Sequence, residues 1–148
     1  MKHLALIATL GLCACNDKKA EPAPLAALDA VAPADAAPAK TVIDVPTFVV
    51  STDPADIKKG EEVFAAKGCI ACHKIGGGKL VGPDLKGVTA RREETWLKKM
   101  ILRPDVMVKE DPIARKLLGE LFVPMSNQNV DPKTELPFIL AYLKSAEK

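Results

Sequence analysis

Aromatic side chains make up only 4% of this 148-residue chain: one Trp, one Tyr and four Phe. So few rings leave the core of one domain short of bulk, a gap that a bound planar cofactor would help to fill. Histidine is scarcer, with only His3 and His73. That excludes sites built from several imidazoles. No apolar run reaches the roughly 20 residues that a membrane-spanning helix needs. After Val50 no segment alternates apolar and polar residues with period two, so the domain is not sheet-based. Charge of one sign is missing too. The 21 Lys and Arg nearly balance 19 Asp and Glu, which gives no sign of a nucleic-acid partner.

The N-terminus reads MKHLALIATLGLCAC. Lys2 supplies a positive start and an apolar run follows from Leu4, the pattern of a secretory leader. Leu12-Cys13-Ala14-Cys15 resembles a bacterial lipobox, in which an aliphatic residue and two small ones precede the Cys that is lipidated. Cys13 fits that role less well, because bulky Leu12 would occupy the small position before it. The expectation is a lipoprotein signal over residues 1–14 and a lipid on Cys15. Removal of the leader takes His3 with it and leaves His73 as the single histidine. From Ala20 to Lys40, ten of 21 residues are Ala and four are Pro. That composition has little to bury and its prolines interrupt helices. Residues 15–50 are therefore expected to be a tether, with Thr41 to Val50, apolar and β-branched, able to lie against the domain as an irregular arm. Residues 51–148 form the domain.

Four helices are expected there. Asp53-Pro54 opens the first, with Ile57, Gly60, Val63 and Phe64 on one face and Gly68 as its stop. The second runs from about Arg92 to Leu102 and ends before Pro104. Asp111-Pro112 opens the third, with Ile113, Leu117, Leu118 and Leu121 inward. The fourth carries Leu136, Ile139, Leu140 and Leu143. It starts at Asp131-Pro132 with a kink at Pro137, or near Thr134 with Pro137 in its first turn. The fold class is all-α.

Cys69-Ile70-Ala71-Cys72-His73 carries the chemistry. C-x-x-C-H is the attachment pattern for c-type haem. Each thiol adds to one vinyl group, and the next residue offers an imidazole to iron from the same side. Two other readings compete. A structural zinc usually takes four Cys or His ligands, and after the leader is lost this segment supplies three with no fourth except lipidated Cys15. A redox dithiol belongs at the start of a helix within a βαβ unit, whereas this pair follows a helix and no strands surround it. Ile75 to Leu80, IGGGKL, is too short and wrongly placed for a nucleotide loop, and reads as a flexible loop beside the site.

From Asp53 to Ser145 the chain resembles a class I, monohaem c-type cytochrome. The order matches: a helix with Gly60 and Phe64, CIACH, GPDLKG over Gly82 to Gly87, middle helices, a methionine loop, and a last helix with Leu140 to Leu143. The resemblance implies the cytochrome c fold around one haem c bound through Cys69 and Cys72, with iron ligated by His73. It implies that Gly60 lets the first and last helices cross, with Phe64 and Tyr142 packed there, and that the Pro83 carbonyl accepts from the His73 ring. It also draws the sixth ligand from the loop before the last helix, hence Met125. Met107 is the other candidate, and Met100 is read as core. Relatives often have Pro after this methionine. Here Pro124 precedes it and Ser126 follows. Asn127 is expected to serve the loop backbone, Trp96 to pack, and Arg91 or Arg92 to be available to a propionate.

The function so implied is that of a membrane-tethered electron carrier facing the periplasm rather than an enzyme, and no small-molecule substrate is expected. Its partners would be redox proteins of a respiratory chain, resembling the cytochrome domains beside terminal oxidases or nitrous oxide reductase. A haem enzyme or gas sensor with an open sixth position is the alternative. Between Lys67 and Lys99, eight basic residues face three acidic ones, a +5 excess that would steer the domain toward acidic surfaces.

Overall fold

A computed structural model describes residues 41–147. The expected leader, Cys15 and the tether as far as Lys40 lie outside the described residues. Six helices follow in order: α1 (Pro54–Ala66), α2 (Val88–Arg91), α3 (Glu94–Leu102), α4 (Pro104–Glu110), α5 (Pro112–Leu121) and α6 (Leu136–Ser145). A 3-10 turn, Cys69–Ala71, follows α1, and no strand is formed among the described residues. None of these helices is long and apolar enough to cross a membrane.

The punctuation explains most boundaries. Asp53 caps α1 by accepting from the Ala55 N–H at 2.7 Å, and Pro54 occupies the first turn, where no donor is needed. Gly68, at φ 73°, takes the left-handed conformation that ends the helix and turns the chain into the Cys69–Ala71 turn. Asp111 caps α5 in the same way as Asp53 caps α1. At the last helix, Asp131 accepts from the Lys133 and Thr134 N–H groups while Glu135 accepts from the Asp131 N–H. These bonds close a separate turn. Pro137 has no N–H to continue that turn, so α6 begins at Leu136 with Pro137 at its start.

Two helices exceed the expected four. Pro104 stops α3, but it also stands at the first turn of α4, so one residue ends a helix and begins the next. The short α2 follows Gly87, at φ 65°, and Arg92 is extended, so α3 starts at Glu94 rather than Arg92.

α1 and α6 cross at the centre. A Cβ on Gly60 would overlap the Phe138 carbonyl and meet Tyr142 Cβ at 2.8 Å, so only glycine permits this approach. The Phe64 and Tyr142 rings meet there with centroids 5.5 Å apart, tilted by 59°. Leu136, Ile139, Leu140 and Leu143 of α6 are buried and form the core with Val63, Phe64, Val88 and Leu97.

The arm from Thr41 to Val50 lies on this domain. Val50 is buried in the core and Phe48 packs against it. Lys98, only 5% exposed, donates to the Pro46 carbonyl at 3.0 Å and sits 3.9 Å from the Phe48 ring centroid. Thr41 donates to both carboxylate oxygens of Glu110, at 2.9 and 2.6 Å. The division expected at residue 50 therefore falls within a segment that packs with the domain.

Candidate haem-binding site

The two thiols and the imidazole come from the turn after α1. His73 and Cys72 both donate their N–H to the Cys69 carbonyl, at 2.9 and 3.2 Å, which curls the five residues into one compact unit. Cys69 is half-buried and Cys72 exposed, and both are free thiols. Burial pushes the Cys69 thiol above its ordinary range, with Cys72 adding to the effect while a backbone hydrogen bond and Lys67 oppose it. The thiol is therefore kept neutral.

A second segment holds His73 from behind. The Gly82 N–H donates to the Cys72 carbonyl at 2.8 Å, and the Leu85 N–H to the Lys74 carbonyl at 2.8 Å. Between these rungs His73 Nδ1 lies 3.0 Å from the Pro83 carbonyl. A carbonyl only accepts, so Nδ1 is the donor, and in the neutral ring Nε2 keeps the lone pair. Gly82 completes the seat. A Cβ there would stand 2.5 Å from His73 Cε1 and 2.8 Å from Nδ1. By itself the motif GPDLKG assigns no role to Gly82. Its signal was its place beside Pro83.

The glycine loop is fastened rather than free. Asp84 accepts from the N–H groups of Gly76, Gly78 and Lys86 at 2.7–2.8 Å. These backbone bonds, with a smaller contribution from Arg91, hold its carboxyl below the usual range. Arg91 donates to the Asp84 carbonyl at 2.9 Å and to the Lys86 carbonyl, bracing the same segment.

These residues open onto a cavity of about 390 Å³, a volume in the range of small-molecule and cofactor sites. Cys69, Cys72 and His73 line it beside Gly82 and Pro83, and α3 contributes Trp96, Leu97, Met100 and Ile101. α5 adds Ala114, Leu117, Leu118 and Leu121, and Val123 to Ser126 follow from the next loop. Met125 thus lines the same cavity as His73. Met100, expected in the core, lines it as well. Met107 does not: it lies in α4 rather than in a loop and is 5% exposed. An apolar wall bearing two thiols and one imidazole with a free Nε2 fits haem c. The ligand set of a structural zinc is not assembled, since no three His, Cys, Asp or Glu side chains among the described residues come together to hold an ion.

The other polar candidates resolve individually. Trp96 donates its indole N–H to Asp111 Oδ1 at 3.0 Å, and the Arg92 guanidinium stacks 5.5 Å from its ring centroid. Asn127 serves the loop, donating to the Leu102 carbonyl at 3.2 Å and accepting from the Asn129 N–H at 2.8 Å. Two members of the basic excess are already paired, Lys98 with Glu94 and Lys67 with Glu135, each at 2.7 Å. Lys74, Lys79 and Lys86 are exposed, and none has a carboxylate at ion-pair distance among the described residues.

Comparison with known proteins agrees with this geometry. Residues 57–147 match the family model described as Cytochrome c. A segment is 50% identical over 54 residues to Cytochrome c-type cyt cy of Rhodobacter capsulatus, covering 34% of this chain and 27% of that protein. Another is 56% identical over 32 residues to Cytochrome c-551 of Azotobacter vinelandii, covering 22% of this chain and 38% of that protein. The matches thus span well under half the length of these curated relatives. Among solved structures, Cytochrome c from Rhodothermus marinus superposes with a TM-score of 0.64 at 25% identity, over 72% of this chain and 90% of that one. The chain belongs to the cytochrome c family, as a class I c-type cytochrome whose haem c is bound covalently through a Cys pair, and Cys69 and Cys72 stand at that spacing.

Proposed function

We propose that this protein is a single-electron carrier in which His73 and Met125 would hold the iron of one haem c. The observation that carries the reading is a single apolar cavity lined by Cys69, Cys72, His73 and Met125. When bound, haem c supplies one-electron exchange at iron, and a His/Met ligand pair raises its potential. The chain's residues account for the rest. Pro83 fixes the orientation of the His73 ring by accepting from Nδ1. Leu97, Ile101, Leu117 and Leu121 give the cavity an apolar lining that disfavours water. With Met125 as well as His73 holding the iron, no position would remain for a substrate.

The electrons pass to and from redox proteins of a respiratory chain. Lys74, Lys79 and Lys86 favour partners with acidic surfaces, because exposed unpaired cations steer encounter. Lipidation at Cys15 would hold the domain on the periplasmic side of a bacterial membrane, with the Ala/Pro-rich stretch as its tether.

Absorption spectra of oxidised and reduced protein, with and without carbon monoxide, test the assignment. A low-spin c-type spectrum with a Met–iron charge-transfer band and no CO binding is expected, and Met125→Ala should abolish the band. Rapid CO binding to the native protein would replace this reading with that of a haem enzyme or gas sensor.

A further inference from the structure

Met125 sits on a loop whose two ends are conformationally unusual. Phe122 and Asn129 are the non-glycine residues at positive φ among the described residues, at 59° and 50°. Bulky residues in this region are strained. A loop with such ends needs external ties to keep one shape.

Two ties run to α3. Asn127 reaches the Leu102 carbonyl at the end of that helix. The other acts at the far end of α5. Asp111 Oδ1 accepts three hydrogen bonds: from the Trp96 indole at 3.0 Å and from the Ile113 and Ala114 N–H groups, each at 2.9 Å. Burial alone would raise the Asp111 pKa, but these donors outweigh it and hold the carboxyl below its usual range. One oxygen therefore joins the cavity wall on α3 to the first turn of α5. That helix buries Ala114, lines the cavity with Leu117, Leu118 and Leu121, and leads through Phe122 directly into the Met125 loop. The Trp96 N–H is committed to this contact.

We propose that Trp96 and Asp111 are a positioning pair that sets α5 against α3 and so keeps the Met125 loop closed over the cavity. The inference rests on the reading of Met125 as the sixth ligand. A cap alone would stabilise α5 without reference to α3. The indole bond makes the placement of the helix depend on the cavity wall.

The test uses holoprotein and three variants. Trp96→Phe keeps an aromatic ring and removes the donor. Asp111→Ser keeps a capping oxygen but places it one bond nearer the backbone, away from the indole. Asp111→Asn keeps an acceptor for all three donors. CO binding to the reduced protein and amide hydrogen exchange over residues 122–129 are measured for each. Trp96→Phe and Asp111→Ser should each speed both by tenfold or more, the double variant should add little further, and Asp111→Asn should stay within threefold of the parent. If both single variants leave CO binding and loop exchange within threefold of the parent, whatever happens to Tm, the pair is only structural and the proposal fails. Met125→Ala separates the two ideas: a surviving Met–iron band would overturn the ligand reading, whereas hydrogen exchange judges the clamp without reference to iron.

Discussion

The stance of His73 depends on an absent methyl group. Gly82 leaves room for the ring that a Cβ would fill at 2.5 Å. Gly82→Ala should displace the imidazole or the Pro83 carbonyl, and losses of tenfold or more are usual when such supporting contacts go. Because the haem is held covalently, the expected result is an altered proximal-ligand spectrum and loss of His73 ligation at a lower denaturant concentration than in the parent. Asp84 acts on the same segment through charge. Its folded pKa lies below the unfolded value of about 3.9. Its contribution to stability is therefore present above that unfolded value and is lost as pH falls through the folded pKa. Asp84→Asn should be less stable than the parent near neutral pH, and the gap in denaturation midpoint should close as the medium is acidified below about pH 4. A gap independent of pH would show that the carboxylate charge has no part in holding the glycine loop. Gly76, Gly78 and Asp84 were visible in the sequence, but nothing in their spacing of six to eight residues announced that one carboxylate gathers them.

Among the elements, α1 and α6 set the frame. Gly60→Ala forces a Cβ into the Phe138 carbonyl of the facing helix. Overpacking of backbone against backbone has no rotamer escape, so a loss of about 3 kcal/mol is expected, measurable by chemical denaturation. The arm is tied to the domain in part through Lys98. Its ammonium bonds the Pro46 carbonyl and the Glu94 carboxylate. Lys98→Ala should cost about 2 kcal/mol, in line with a lost charge-assisted bond. It should also expose Thr41 to Val50 to proteolysis, whereas unchanged protection would mean that Val50, Phe48 and the Thr41–Glu110 bonds hold the arm without it. Helix starts at Pro54 and Pro112 were legible because Asp precedes each proline. α4 was not, since Pro104 carries the same sign for a stop and for a start. α2 is too short for any periodicity to register.

At the scale of the whole molecule, charge is sorted by the fold. Lys67 and Lys98 belong to the basic stretch in sequence but are spent on internal pairs. Lys74, Lys79 and Lys86 remain exposed. Electron exchange with an acidic redox protein should slow as ionic strength rises, and Lys79→Glu should lower both the rate and its salt dependence. Stopped-flow reduction over a salt series measures this, and equal salt slopes for parent and variant would remove Lys79 from the docking surface. The sequence by itself determined the covalent chemistry, because Cys69, Cys72 and His73 lie within five residues and local spacing suffices to aim them at one group. It also determined the helical class, through apolar period and proline caps. Only the tertiary structure decided which methionines line the cavity, what receives the Trp96 N–H and which lysines stay free. Trp96 and Asp111 lie 15 positions apart and Lys67 and Glu135 farther still, and such pairings follow from how the helices pack rather than from any local pattern.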